Sequence, residues 1–300
     1  MSIRHFLTLF DLSSNELIDL IDRAQVIKNT HIASDLGTLM SGMTMVMLFE
    51  KVSTRTRISF EIAATQFGGH TLFLESQHSQ LSRGEPLSDT SRVISSMADL
   101  IVMRTSSHDR IVTLAEFSKI PVINAMSNSY HPCQILADVL TFTEKKGSIR
   151  DAKVSWVGDG NNVCHSWMNA AVKFNFDLQL ACPPEHGPDP DILEVTKNRV
   201  SLTHKPEKAV AGSDLVVTDT WHSMGYERAK EKYEQDFSNF TVTKSLMQLA
   251  HESALFMHCL PAYRGKEVVA EVIDGPQSVV WEEAENRLHA QKALIEFLLT

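Results

Sequence analysis

The sequence lacks an apolar run approaching the ~18 residues that a membrane-spanning helix requires, and its start lacks the apolar stretch of a secretion signal. Cysteine is scarce: Cys133, Cys164, Cys182 and Cys259 show neither the paired spacing of a metal site nor the density of a disulfide-rich secreted domain. Low-complexity segments and internal repeats are also absent from the sequence. We therefore expect a cytoplasmic protein with reduced thiols.

The chain also lacks an excess of positive charge. Its 28 Lys and Arg residues face 37 Asp and Glu residues, giving a formal net charge of -9 at pH 7. This balance argues against a nucleic-acid or membrane-surface binder, because such proteins present a basic surface. It still permits a small anion site, since a few arginines and a helix N-terminus are enough to hold a phosphate.

Short apolar runs alternate with longer amphipathic stretches along most of the 300 residues. This alternation predicts an α/β fold with two doubly wound parallel-sheet, Rossmann-like domains and an active-site cleft between them. Strands are predicted at residues 44–50, 71–75, 100–104, 121–125, 153–157, 178–182, 215–219 and 254–259. Helices are predicted at residues 56–67, 87–97, 110–117, 134–144, 163–174, 244–251 and 283–298, and a capping-box pattern at Ser13 to Glu16 predicts an N-terminal helix.

The same alternation predicts where the domains divide. Four strand–helix units precede residue 132 and four follow residue 151, so we expect one domain at residues 1–132 and a second at residues 133–300. A helix at 134–146, ending at Gly147, would connect them. The last helix, residues 283–300, is expected to pack back on the first domain.

Ligands of open parallel sheets bind beyond the carboxyl ends of the strands, so the polar residues there are the candidate site. In the first half, a Ser-Thr-Arg-Thr-Arg segment (residues 53–57) follows a strand and opens a helix, an arrangement that suits a phosphate. Arg104 ends a strand, and His131 and Gln134 open another helix. The ordinary alternatives are a Ser/Thr helix cap with exposed arginines, a surface Arg104 and a capping His131.

In the second half, Gly-Asp-Gly-Asn-Asn (residues 158–162) follows a strand but lacks the G-x-G-x-x-G spacing of a dinucleotide site. Asp219 follows another strand and could receive an ammonium group. Cys259 follows a third, where a plain buried cysteine is the usual interpretation. Arg287 lies near the start of the last helix, where the alternative is a solvated charged face.

Together these segments resemble the ornithine carbamoyltransferase family, in order and in spacing and over essentially the whole chain. Ser-Thr-Arg-Thr-Arg and His-Pro-Cys-Gln (residues 131–134) are shared with the aspartate carbamoyltransferases and indicate the superfamily alone. Asp219 with Ser-Met-Gly at residues 223–225, and His-Cys-Leu-Pro at 258–261, are similar to the ornithine branch.

The resemblance implies a transferase that uses carbamoyl phosphate and L-ornithine, without metal, organic cofactor, nucleic acid or membrane, and that assembles as a homotrimer or a multiple of trimers. Arg104, His131 and Cys259 would be catalytic. Carbamoyl phosphate would contact Ser53, Thr54, Arg55, Thr56, Gln80, Arg104, His131, Gln134, Cys259, Leu260 and Arg287. Gln80 would help to close the site, either in its own subunit or in a neighbouring one. Ornithine would contact Asn162, Asp219, Ser223 and Met224.

Three alternatives stay open from the sequence alone. The same machinery could serve another amine, such as aspartate, putrescine or an acylated ornithine. A nicotinamide-dependent oxidoreductase would require a proper glycine fingerprint. A non-catalytic relative could bind one of the substrates as a sensor.

Overall fold

The computed structural model describes residues 3–30, 37–51, 53–75, 80–221 and 230–300. Contacts divide the chain into two compact units: unit 1 comprises Met1–Leu140 and Glu285–Thr300, and unit 2 comprises Thr141–Ala284. The boundary therefore falls after Leu140, whereas the sequence pattern placed it after residue 132. The last residues of the chain group with unit 1.

Unit 1 contains one parallel sheet. Its strands are β1 (Thr44–Phe49), β2 (His70–Glu75), β3 (Leu100–Arg104) and β4 (Val122–Met126), and they lie in the order β2-β1-β3-β4. Its helices are α1 (Ser14–Asn29), α2 (Thr54–Gln66), α3 (Leu87–Ser95), α4 (His108–Glu116) and most of α5 (Pro132–Lys146), with short 3-10 helices at Leu9–Asp11 and Gln80–Arg83. All five residues of β3 are buried, as expected for a sheet covered on both faces.

Unit 2 contains a second parallel sheet, with five strands. They are β5 (Lys153–Val157), β6 (Asp177–Ala181), β7 (Val200–Thr203), β8 (Leu215–Thr218) and β9 (Leu255–His258), and they lie in the order β7-β6-β5-β8-β9. The helices are α6 (Asn162–Phe174), α7 (Pro190–Thr196), α8 (Pro206–Val210), α9 (Lys230–Asp236), α10 (Lys244–Met247) and α11 (Ala270–Ile273), and α12 (Val280–Leu299) begins in this unit. None of the helices in the described ranges combines the length and hydrophobicity of a bilayer crossing.

Each sheet has a point where the winding direction reverses. In unit 1 the chain runs from β1 outward to β2 and then returns to β3, which pairs with β1 so that Phe49 lies opposite Arg104. In unit 2 the reversal lies between β5 and β8, which pair through Trp156 and Val217. Loops diverge above such a reversal and leave a crevice, so these two strand ends are where ligands are expected.

The prediction of two parallel α/β sheets is confirmed, and three details differ from those predicted. The edge strand β7 has two exposed residues among its four and was not predicted. Helices α7, α8, α9 and α11, all of four to seven residues, were also missed. Helix α10 ends at Met247 rather than at residue 251, because Leu249 and His251 pair their backbone with Gly212 and Ser213.

The capping box at the start of α1 gives the first testable prediction. The Glu16 amide donates to Ser13 Oγ at 3.3 Å, and the Ser13 amide donates to Glu16 Oε2 at 2.8 Å. Ser13→Ala should lower the free energy of unfolding by about 1 kcal/mol, because one helix-start N–H loses its partner. Urea denaturation followed by circular dichroism measures this, with Ser14→Ala at the first helical residue as the control. Equal midpoints for the two variants would show that the cap does not contribute.

Candidate functional site

The N-terminus of α2 is arranged to receive an anion. Ser53 occupies the N-cap position in an extended conformation, but its side chain makes no capping hydrogen bond, and the first turn has no acidic residue. Its hydroxyl instead accepts a hydrogen bond from Arg104 Nη1 at 3.2 Å. Ser53 therefore occupies the N-cap position without capping the helix through its side chain. The positive end of the helix dipole adds to the arginine charge at this point.

Arg287 connects three helices of unit 1. It is 2% exposed, and it donates to Gln134 Oε1 at 2.7 Å and to Thr56 Oγ1 at 3.2 Å. Gln134 in turn donates from Nε2 to Asp138 at 2.8 Å, which fixes the direction of its amide. Arg287 thus belongs to a buried polar network, and the solvated-face alternative for its helix is wrong.

His131 lies among three guanidinium groups. The imidazole is 5% exposed, and its pKa is held well below the ordinary value of 6.5, first by burial and then by the charges of Arg287, Arg104 and Arg55. The ring is therefore neutral at physiological pH and can donate one hydrogen bond without adding charge. Arg104 and Arg287 both reach the start of α2, through Ser53 and Thr56, and Arg55 lies in the same helical turn. Their charge suits a dianion such as phosphate.

Two residues predicted for this half lie at its margin. Thr54 is exposed in the first turn of α2. Gln80 is exposed in its short 3-10 helix, and no hydrogen bond among the described residues joins it to Arg104 or His131. The expected closing role of Gln80 stays a prediction.

The candidate acceptor half lies at the strand ends of unit 2 and centres on Asp219. This carboxylate is 8% exposed and accepts a hydrogen bond from Asn161 Nδ2 at 2.9 Å and from the Thr220 amide at 2.7 Å. Asn161 also caps α6, because its Oδ1 accepts from the amides of Val163 and Cys164. Asn161 had not been singled out from the sequence, although the asparagine preference at N-caps was an available signal.

Cys259 is joined to the same carboxylate. Its thiol donates to Asp219 Oδ1 at 3.1 Å and is partly buried. The next residue, Leu260, has a left-handed backbone (φ 57°), and its amide donates to His258 Nδ1 at 2.9 Å. Since Nδ1 accepts that hydrogen bond, the ring proton lies on Nε2, which donates to the buried Glu267 at 3.2 Å. His258 and Glu267 therefore hold the loop that carries Cys259 and Leu260.

Asp219, His258 and Cys259 place potential metal-ligand atoms within 4.8 Å of one another. However, both ring nitrogens of His258 are engaged by Leu260 and Glu267, and the Cys259 thiol donates to Asp219. A set whose members already satisfy one another is a poor metal site, because binding would break these hydrogen bonds. That the protein uses no metal stays a prediction.

The remaining predicted ornithine contacts divide into two groups. Asn162, at the start of α6, is 7% exposed and lies beside Asn161 in the loop after β5. Ser223 and Met224 fall outside the described residues, as does His222.

Comparison with known proteins matches both halves of the chain to one family. Residues 4–144 match the model for the aspartate/ornithine carbamoyltransferase carbamoyl-P binding domain, and residues 150–298 match that for the Asp/Orn binding domain. An ornithine carbamoyltransferase from Nitrosococcus oceani is 52% identical over 299 residues, covering 100% of this chain and 98% of the relative. One from Halorhodospira halophila is 53% identical over 297 residues, covering 99% of each. The structure of ornithine carbamoyltransferase from Pyrococcus furiosus superposes with a TM-score of 0.93 at 44% identity, covering 98% of this chain and 96% of that one.

Binding of an anion by the candidate site in unit 1 can be tested with inorganic phosphate alone. Arg287→Gln should weaken phosphate binding by roughly 10- to 100-fold, the equivalent of losing one charged hydrogen bond. Isothermal titration calorimetry measures the change, and Arg57→Gln is the matched control. Arg57 belongs to the same motif but pairs with Glu61 at 2.9 Å and lies over the Phe73 ring. Equal affinities in the two variants would remove Arg287 from the anion site.

Proposed function

The chain belongs to the aspartate/ornithine carbamoyltransferase family, and we propose that it transfers the carbamoyl group of carbamoyl phosphate to the δ-amine of L-ornithine, giving L-citrulline and phosphate. The observation that carries the acceptor assignment is the Asp219–Cys259 pair at the end of β8 and β9. An acidic group there suits an acceptor with a side-chain ammonium. Relatives about 50% identical over nearly the whole chain are named ornithine carbamoyltransferase.

We assign the donor to unit 1. The phosphate would be bound by Ser53, Thr54 and the first-turn amides of α2, with charge supplied by Arg55 and Arg287. Arg104, which donates to Ser53, would bridge the phosphate and the carbonyl oxygen. His131 and Gln134 would hold the carbamoyl group, with Thr56 nearby through its hydrogen bond from Arg287.

The reaction creates negative charge at two places. Attack of the amine on the carbonyl carbon gives a tetrahedral oxyanion, which collapses with loss of phosphate. Donors already in position at these two places are worth roughly 3–4 kcal/mol each. Arg104 and neutral His131 serve the oxyanion, and Arg55 and Arg287 serve the departing phosphate. Since the His131 pKa is strongly lowered, the ring acts as a hydrogen-bond donor and not as a cation.

The nucleophile must be a neutral amine, whereas a free amine of this kind has a pKa of about 10.4. Asp219 would receive the acceptor as an ammonium, and removal of water would favour the neutral form. The proton would pass to solvent or to the phosphate. Cys259 would orient the acceptor through Asp219 and form no covalent intermediate, so a carbamoyl thioester on Cys259 would contradict this mechanism.

The alternative functions would require different residues at the site. An aspartate acceptor would call for basic groups, and the described residues there present Asp219, Asn161 and Cys259. A sensor would not require His131 and Arg104 aimed at a reacting carbonyl. The homotrimer or multiple of trimers, the cytoplasmic location and the role in arginine synthesis complete our proposal. These three rest on the sequence resemblance.

The proposal is tested by a colorimetric assay for carbamoylated product, with ornithine, putrescine, N-acetylornithine and aspartate as parallel acceptors. We expect product with ornithine and little with the others. Product with a different amine would support carbamoyl phosphate as the donor and contradict ornithine as the acceptor. No product with any of them would contradict the proposed activity.

Arg104→Ala should lower kcat/KM by at least about 10²-fold, the scale of removing one transition-state donor. Arg92→Ala is the control, because Arg92 is on the surface of α3 and pairs with Asp89. Both variants are compared by initial rates at saturating ornithine. Near-normal activity of a folded Arg104→Ala protein would remove Arg104 from the mechanism.

A further inference from the structure

Asp159 lies in the loop after β5, two residues before Asn161, and its position is fixed by the backbone. Trp156 Nε1 donates to the Asp159 carbonyl at 2.9 Å, and the Gly160 amide donates to the His186 carbonyl at 2.9 Å. A Cβ atom on Gly160 would lie 2.2 Å from the Pro188 nitrogen, so the loop packs directly against the loop after β6. The carboxylate of Asp159 therefore has little freedom to move.

The Asp159 carboxylate faces groups from three neighbouring elements. Tyr233 on α9 donates from its hydroxyl to Asp159 Oδ2 at 3.1 Å. The ring of His186, in the loop after β6, and the carboxylate of Asp219, after β8, both act on its charge. Asp236 on α9 pairs with His186 at 3.1 Å. The loops that carry Asp159 and Asp219 lie side by side at the reversal point of this sheet: a Cβ atom on Gly158 would lie 3.4 Å from Thr218 Oγ1, and Asn161 donates to Asp219 at 2.9 Å.

An aromatic cluster holds Tyr233 in place. Its ring stacks on the fully buried Phe237 at 4.7 Å between centroids, and His186 meets it edge-on at 4.7 Å. Trp221, two residues after Asp219, also stacks on Phe237, at 5.2 Å. The same cluster therefore supports both the donor to Asp159 and the chain that carries Asp219.

The charge state of Asp159 is set by opposing effects. Burial raises its pKa to about 6 and Asp219 adds to the rise, whereas the Tyr233 hydroxyl, His186 and the Gly160 amide favour the ionised form. A cation placed beside the two carboxylates would favour ionisation of Asp159 further. By linkage, Asp159 should attract such a cation above about pH 6 and lose this attraction as the pH falls below that value.

We propose that Asp159 is a specificity residue for the acceptor, acting with Asp219 as a second carboxylate for an amino acid that carries two amino groups, and that Tyr233 positions it. This inference rests on the proposed function. A diamino acid carries two ammonium groups that lie several bonds apart, so one acidic side chain cannot contact both. Asp159 supplies the second acidic side chain.

The test compares three variants in the full-length protein. Asp159→Asn removes the charge, and Tyr233→Phe removes the hydroxyl while keeping the ring. Asp151→Asn is the control, because Asp151 is an exposed carboxylate just before β5, at the opposite end of the strand. Its left-handed backbone (φ 61°) also accepts asparagine readily.

Asp159→Asn should raise the KM for ornithine roughly tenfold, which corresponds to about 1.4 kcal/mol, with the KM for carbamoyl phosphate unchanged.

In the unmodified protein, kcat/KM for ornithine falls with decreasing pH because the amine must be neutral, and an additional fall should begin near pH 6. Asp159→Asn should lose that additional fall. Tyr233→Phe should move it to higher pH, because the ionised carboxylate loses a donor. Asp151→Asn should change neither quantity.

Several outcomes would overturn the proposal. An unchanged KM for ornithine in Asp159→Asn would do so, as would an additional fall that persists in that variant. Equal losses for both substrates would indicate a purely structural role. If Asp159→Asn fails to fold, an unshifted profile in Tyr233→Phe is decisive against the proposal. Absence of product from the unmodified protein would overturn the proposed function as well, so the two failures are distinguishable.

Discussion

The buried guanidinium group of Arg287 is the constraint on which unit 1 depends. A charge with 2% exposure is costly to keep unless its donors are engaged, and Gln134 and Thr56 accept two of its hydrogen bonds. These contacts join α12, α5 and α2 at the strand ends of the sheet. They also fix a charge that adds, with those of Arg104 and Arg55, to the effect of burial in lowering the pKa of His131. The same guanidinium group of Arg287 therefore joins the three helices and supplies the charge of the proposed anion site.

Unit 2 uses the opposite charge at the corresponding place in its sheet. Asp219 is held by Asn161, Thr220 and Cys259, three residues that reach it from the ends of β5, β8 and β9. Our proposal therefore places an anion in one unit and a cation in the other of a protein with a net charge of -9, since the charges of the local groups and not the net charge govern binding at each place. Strand ends at the two reversals are suited to this, since loops diverge there and leave polar side chains facing a crevice.

The sequence predicted the residues that lie directly after a buried strand, such as Asp219 and Cys259, because parallel strands bring their carboxyl ends to one edge. It could not predict partners that depend on tertiary packing. Glu267 reaches His258 from a later loop, and Tyr233 reaches Asp159 from α9 across 74 positions. The edge strand β7 was missed because its exposed residues give no continuous apolar run. The Ser53 hydroxyl accepts its hydrogen bond from Arg104, which is 51 positions away.

The acceptor half must reconcile two opposing demands. A carboxylate that binds an ammonium also stabilises its charged form, yet the reaction needs the neutral amine, and each pKa unit of such stabilisation is worth about 1.36 kcal/mol. In Asp219 both oxygens are already hydrogen-bonded, Oδ2 by Asn161 and Oδ1 by Cys259 and Thr220. These donors spread the negative charge and so weaken the hold of Asp219 on the ammonium proton. In the mechanism that we propose, the Cys259 thiol would contribute to reactivity by moderating its neighbouring carboxylate, a role that requires no nucleophilic attack by the cysteine.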